Sequence, residues 1–130
     1  MIEYAWRGGF NSAEVELLHA ECFDRKPGEW DWAGQVNRHS LGWVCARDAG
    51  DLIGWVNVAW DGASHAFILD SMVTATRRRR GIATQLMAAG AAGASDAGCE
   101  WLHVDFEKHL QSFYLDACGF AVTSAGLIRL

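Results

Sequence analysis

The chain has 130 residues, about half of them apolar, and carries a net charge of −5 from 11 basic and 16 acidic side chains. That length suits one domain with a sizeable core, so residues 1–130 are read as a single domain, and no apolar run approaches the roughly 20 residues that cross a bilayer. Glu3 and Arg7 interrupt the start and no long apolar segment follows, so the expectation is no signal peptide, no membrane partner and a cytoplasmic location.

In chain order, residues 2–6 read as a short strand. Asn11 or Ser12 caps a helix with Glu14 in its first turn, and Leu17, Leu18 and Cys22 give that helix an apolar stripe. Residues 24–32 read as a loop, because they hold the only proline, Pro27, followed by Gly28. A second short helix is expected over residues 32–38. Strands at residues 41–47 and 52–60 form a hairpin about a turn containing Gly50. Asp61-Gly62-Ala63-Ser64 makes the next turn, and residues 65–73 form a third, largely buried strand. A helix runs from about Arg80 to Ala97, with Gly98 as its stop signal. Gly90 and Gly93 lower its intrinsic propensity, which close packing on a sheet would offset. Residues 101–106 alternate Leu102, Val104 and Phe106 with His103 and Asp105, as a strand does, and a helix follows over residues 110–117. Two last strands are expected at residues 120–123 and 127–130, around Ala125-Gly126.

Other residue types carry weaker signals. Cys22, Cys45, Cys99 and Cys118 are scattered without a C-x-x-C pair, so buried free thiols are expected, with no disulfide and no metal. His19, His39, His103 and His109 have no metal-ligand spacing and read as surface or core residues. Of the seven tryptophans, Trp43, Trp55, Trp60 and Trp101 are assigned to core packing. Trp30 and Trp32 lie in the acidic segment Glu29-Trp30-Asp31-Trp32, which suits either loop packing or an aromatic, acidic wall for a cationic amine.

The chemistry concentrates between Val73 and Leu86. The apolar run Ala66-Phe67-Ile68-Leu69 leads to four consecutive arginines, Arg77 to Arg80, then Gly81-Ile82-Ala83-Thr84 and an alanine-rich helix. A strand, a basic glycine turn and a helix start make an anion site, because the first N–H groups of a helix lack intrahelical partners and sit at the positive end of its dipole. Without those arginines the chain holds seven basic residues against sixteen acidic ones, so the positive charge is focused at one spot. That suits a small polyanion better than a nucleic acid, which needs an extended basic face, and no nucleic-acid partner is expected. The acidic remainder favours a cationic acceptor such as an amine. Neither a Gly-x-x-x-x-Gly-Lys-Ser/Thr loop nor a Gly-x-Gly-x-x-Gly fingerprint opening a helix is present.

Arg78, Gly81 and Ala83, with Val73 five residues before the arginine, resemble the acetyl-CoA-binding motif of the GNAT family of N-acetyltransferases. The motif reads Gln or Arg, two residues, Gly, one residue, then Gly or Ala; where many members have proline two residues after the valine, this chain has Ala75. The order of elements matches the family layout over nearly the whole chain. The resemblance implies an α/β GNAT fold, a mixed central sheet of about seven strands flanked by about four helices. It implies that residues 65–73 and 101–106 are parallel strands that splay apart to admit the pantetheine arm of acetyl-CoA. Arg78, Gly81 and Ala83 would anchor the pyrophosphate, with Arg79, Arg80, Ile82 and Thr84 supplying amides or charge. Backbone groups of Met72 and Val73 would hold the pantetheine amides, and a main-chain N–H near Val73 would face the thioester oxygen.

The family often closes with a helix reading Phe/Leu-Tyr-x-x-x-Gly-Phe, whose tyrosine protonates the departing thiolate. Here Phe113-Tyr114-Leu115-Asp116-Ala117-Cys118-Gly119-Phe120 puts Leu115 in the tyrosine slot and Tyr114 one place early. Either the turn holds one extra residue and Tyr114 is the acid, or Tyr114 packs elsewhere. Glu107 stands where the family often has an Asn near CoA. For the base that takes the amine proton, His65, Asp70 and Asp105 are candidates, and Asp70 is the one selected. In a regular strand His65 and Asp70 point to opposite faces, which a β-bulge would change. The resulting expectation is an acetyl-CoA-dependent N-acetyltransferase acting on a small-molecule or peptide amine by direct attack, with a homodimer possible. The second reading is a non-catalytic CoA-binding regulatory module of the same fold.

Overall fold

The computed structural model describes residues 1–130. Strand β1 (Ile2–Trp6) is followed by helices α1 (Ser12–Cys22) and α2 (Trp32–His39). Strands β2 (Ser40–Asp48), β3 (Asp51–Trp60) and β4 (His65–Val73) come next, then helix α3 (Ile82–Asp96) and strand β5 (Trp101–His103). The strands form one five-stranded sheet in the order β1-β2-β3-β4-β5. All neighbours are antiparallel except β4 and β5, which are parallel, as a crossover through α3 requires.

Helices cover both faces. Under α3 lies a core of Val44, Val56, Val58, Ala66, Ile68, Ile82 and Leu86. Under α1 and α2 lies a second core of Val15, Leu18, Trp32, Val36, Trp43, Trp55 and Met72. The buried stripe of α1 differs from the expected one: Leu17 is exposed, and Val15, Leu18 and Ala20 are the buried apolar residues. The α1 start is a capping box, with Asn11 Oδ1 accepting from the Glu14 N–H at 2.9 Å and the Glu14 carboxylate accepting from the Asn11 N–H at 3.1 Å. The two glycines of α3 sit against the sheet. A Cβ on Gly93 would lie 2.5 Å from carbons of the Trp6 ring, and one on Gly90 would lie 3.3 Å from Val58.

The sheet has five strands, not about seven. Residues 120–123 and 127–130, expected as strands, form no regular structure, and residues 121–130 are exposed throughout. The edge strand nearest them in the chain is β5, which pairs with β4 over three positions only, His65↔Trp101 to Phe67↔His103. An isolated two-stranded hairpin without a longer partner is marginal. Residues 104–106, expected to continue β5, lose their partner where β4 turns away. Trp101 is 63 % exposed on this short edge strand, so it is not the core residue expected of it. Nor are all four thiols buried: Cys45 is, whereas Cys22, Cys99 and Cys118 are half-buried. The last helix is also reshaped, into a 3₁₀ turn at Lys108–Leu110 and a π-helical turn at Phe113–Ala117.

Candidate active site

The divergence of β4 from β5 opens a cleft of about 770 Å³. Its walls come from the loop and first turn of α3 (Arg77, Arg78, Arg79, Gly81, Ile82, Ala83, Thr84), the end of β4 (Ser71, Val73), the end of α1 (Cys22, Phe23), and Phe113 and Tyr114. Gly81 is the N-cap of α3, with φ +78°, and no side chain caps the helix. The left-handed φ explains why glycine stands here, and why the helix starts at Ile82 and not at Arg80. A Cβ at Gly81 would meet no protein atom within 4 Å, so the space over the first turn is open to a ligand. The N–H groups of Ile82, Ala83 and Thr84 face that space without intrahelical acceptors.

The arginines divide into different roles. Arg77 ion-pairs with Asp48 at 2.6 Å, which ties the loop to the end of β2 and holds the Asp48 carboxyl below its ordinary range. Arg78 folds back: its Nε donates to the Val73 carbonyl at 3.1 Å and its Nη2 to Cys22 Sγ at 3.6 Å. The Cys22 thiol donates to the same carbonyl at 3.4 Å. The Val73 carbonyl therefore has partners from this chain. Arg79 adopts φ +64° at the cleft wall, whereas Arg80 is exposed and does not line it. Met72 does not line it either; its side chain is buried under α1 and α2. Glu21 ties α1 to the segment after β4, accepting from the Thr74 hydroxyl at 3.0 Å and the Ala75 N–H at 2.7 Å.

The π turn decides which residue faces the cleft. The Cys118 N–H donates to the Phe113 carbonyl and the Phe120 N–H to the Tyr114 carbonyl, with Gly119 at φ +79°. A π turn accommodates one residue more than an α-turn. Tyr114 lines the cleft and Leu115 does not. The Tyr114 ring stacks on Phe106 at 4.9 Å and meets the edge of Phe113 at 4.8 Å. Burial pushes its phenol above the ordinary value near 10, with the Ser71 side chain acting in the opposite direction. Tyr114 is thus a protonated donor at neutral pH.

Asp70 sits in a β-bulge. Trp55 pairs with Met72 and Asn57 with Leu69, so Asp70 and Ser71 together oppose Val56, and Asp70 takes φ +52°. The bulge reverses the parity of the strand. Ala66 and Ile68 face α3, yet Asp70 meets α1, where His19 Nε2 lies 3.4 Å from Asp70 Oδ1. Asp70 itself is not part of the cleft lining, but its neighbour Ser71 is. The other two candidate bases lie elsewhere: His65 Nδ1 is 2.7 Å from His103 Nε2, and neither His65 nor Asp105 lines the cleft.

Several residues near the cleft carry no sequence signal. Glu16 is a buried carboxylate on α1. It accepts from both terminal nitrogens of Arg25 (2.7 and 2.8 Å), from the Gly28 N–H (2.7 Å) and from the Trp32 indole (3.0 Å). These donors hold its carboxyl well below the ordinary range, Arg25 first among them. Trp32 is therefore a core residue that pins the loop, while Trp30 is exposed and donates to Gln35 at 2.8 Å. No three His, Cys, Asp or Glu side chains converge to hold a metal ion. No helix is long and apolar enough to cross a membrane.

An open helix start beside two parallel strands that part after three paired positions is the arrangement of the GNAT class of acyltransferase folds. The model of the acetyltransferase (GNAT) family matches residues 5–120, so the chain belongs to that family. Solved structures agree on the fold. A GNAT-family acetyltransferase from Streptococcus pneumoniae aligns over 100 % of this chain and 98 % of its own, with a TM-score of 0.79 at 20 % identity. Glucosamine-6-phosphate N-acetyltransferase from Arabidopsis thaliana covers 98 % of each chain, with a TM-score of 0.77 at 12 % identity. The aminoglycoside N-acetyltransferase AAC(6')-Iy, solved with a bisubstrate analogue joining CoA to an acetylated neamine, covers 100 % of this chain and 97 % of its own, with a TM-score of 0.71 at 20 % identity. No curated protein matches the sequence.

Proposed function

We propose that the chain is an acetyl-CoA-dependent N-acetyltransferase that acetylates a primary amine by direct attack within a ternary complex. The observation that carries this reading is one cleft bordered by the open N-terminus of α3, by Arg78 and Arg79, and by a buried, protonated Tyr114. The residues present fit acetyl-CoA. Gly81, Ala83 and the N–H groups of Ile82, Ala83 and Thr84 receive the pyrophosphate, and Arg78 and Arg79 add charge around it. The edge of β4 from Met72 to Val73, beyond its last β5 partner, accepts the pantetheine as an added strand. The bound thioester supplies an activated carbonyl.

The chain's own groups then manage protons and position. Most of the rate gain comes from holding the amine against that carbonyl. Asp70 takes the first proton from the acceptor ammonium, which frees the nitrogen lone pair to form the N–C bond. As the C–S bond breaks, its electron pair stays on sulfur, and Tyr114 transfers its phenolic proton there. The second N–H proton leaves as the amide forms and returns to the Tyr114 phenolate, while Asp70 releases its proton to solvent, so one proton is released per turnover.

The direct test is thiol release and amide formation from acetyl-CoA with a panel of amines: tyramine, spermidine, kanamycin and a tripeptide with a free N-terminus. Acetylation of at least one, identified by a mass gain of one acetyl group, is the expected result. Binding of acetyl-CoA without turnover on any of them would contradict the enzymatic reading and favour the binding module.

A further inference from the structure

His19 and Arg25 stand behind Asp70 in an arrangement that α1 and the following loop build together. Arg25 Nε donates to His19 Nδ1 at 2.9 Å, and His19 Nε2 lies 3.4 Å from Asp70 Oδ1. An arginine is always a donor and always charged. His19 Nδ1 must therefore be the acceptor, which leaves the ring proton on Nε2, the nitrogen nearer Asp70. The ring is clamped as well as hydrogen-bonded: it stacks on Phe23 at 4.3 Å and lies 4.9 Å from the Trp32 ring. Arg25 in turn cannot rotate freely, because the buried Glu16 carboxylate holds both of its terminal nitrogens. A continuous path, Glu16–Arg25–His19–Asp70, thus runs from the second core to the bulge beside the cleft.

We infer that Arg25 and His19 are positioning residues for the transferase reaction, fixing the Asp70 carboxylate toward the acceptor amine through the Nε2–H tautomer of His19. This rests on the acetyltransferase reading above. With its Nδ1 lone pair engaged by Arg25, the ring has no free site for the amine proton, so that proton goes to Asp70. The left-handed backbone at Asp70 brings the carboxylate to α1, where His19 Nε2 stands 3.4 Å from one of its two oxygens. The His19–Asp70 distance is long for a hydrogen bond, as apo catalytic contacts often are before substrate closes the site.

Two substitutions separate positioning from proton transfer. In His19→Gln, the amide accepts from Arg25 through oxygen and donates to Asp70 through nitrogen, but it does not titrate. In His19→Leu the Arg25 hydrogen bond and the polar contact to Asp70 are both lost. On the best amine of the panel, His19→Leu should lower kcat by about tenfold or more with little change in amine KM. Its acetyl-CoA affinity should be unchanged by calorimetry. His19→Gln should keep kcat within about threefold of wild type. Wild-type kcat in His19→Leu would overturn the inference. So would a His19→Gln variant as slow as His19→Leu, because the imidazole itself would then be the proton acceptor. A folding-independent check is the ¹⁵N imidazole spectrum of the wild type at neutral pH. The Nε2–H tautomer is expected at His19; the Nδ1–H tautomer or the imidazolium there would overturn the inference. Absence of wild-type turnover overturns the transferase reading and this inference with it, whereas turnover indifferent to His19→Leu overturns the inference alone.

Discussion

Tyr114 reaches the cleft because the chain widens into a π turn, and its burial among Phe106, Phe113 and Phe120 keeps the phenol protonated. Tyr114→Phe keeps the ring and removes only the proton. It should leave acetyl-CoA affinity intact in calorimetry and lower kcat by about tenfold or more in the thiol-release assay. Equal kcat would remove Tyr114 from proton transfer. Glu16 gives a prediction in pH. Its carboxyl is depressed below the ordinary value of 4.5, so its favourable contacts are fully present above that pH and are lost as acid protonates it. Glu16→Gln should lower the thermal midpoint at neutral pH. It should also flatten the fall in midpoint between about pH 5 and about pH 2 relative to wild type. The comparison with wild type matters, because Glu14, Asp48 and Asp61 are also depressed and titrate in the same window. Parallel acid profiles for the two proteins would show that the Glu16 network does not couple to folding. Thiols divide by environment as well. Burial pushes Cys45 up to about 11, so it should resist alkylation at pH 8, while Cys22, at the cleft wall, should be labelled and acetyl-CoA should slow that labelling.

At the scale of elements, α3 is held by close approach as much as by apolar burial. Gly93→Ala improves intrinsic helix propensity by about 1 kcal/mol. The new methyl, however, meets the Trp6 ring at 2.5 Å. Displacing a packed ring typically costs about 1–3 kcal/mol, so the variant should melt below wild type; a midpoint at or above wild type would contradict the packing. The strand, arginine turn and α3 were legible in the sequence because β-rich, glycine and alanine-rich segments follow one another without overlap. The bulge at Asp70 was not, since no Gly or Pro marks it; it comes from pairing two β4 residues against one on β3. The register of Tyr114 stayed open for a related reason: counting residues presumes an α-helical turn, and the chain makes a π turn. The Glu16–Arg25–His19–Asp70 path joins residues on α1, the loop and β4, so it exists only after they pack. The last expected strands failed because sequence alternation cannot supply a partner, and β5 is too short to be one.

Across the whole molecule, an acidic body carries one basic spot at the entrance to the cleft. Net charge is −5, and the exposed Arg79 and Arg80 lie beside the open first turn of α3, while Arg77 is already paired with Asp48. The sheet presents the end of β4 next to that spot, so the proposed anion cradle and the proposed site of amine chemistry meet where two parallel strands diverge. The proposed function requires this cradle to hold acetyl-CoA. Calorimetric titration of acetyl-CoA and of CoA into wild type and into Gly81→Glu reads that binding with no acceptor amine needed. The substitution forces a side chain onto a left-handed glycine and puts negative charge where phosphate should lie. Wild type should bind in the micromolar range and the folded variant should lose that binding; no binding by wild type, or equal binding by both proteins, would rule the cradle out.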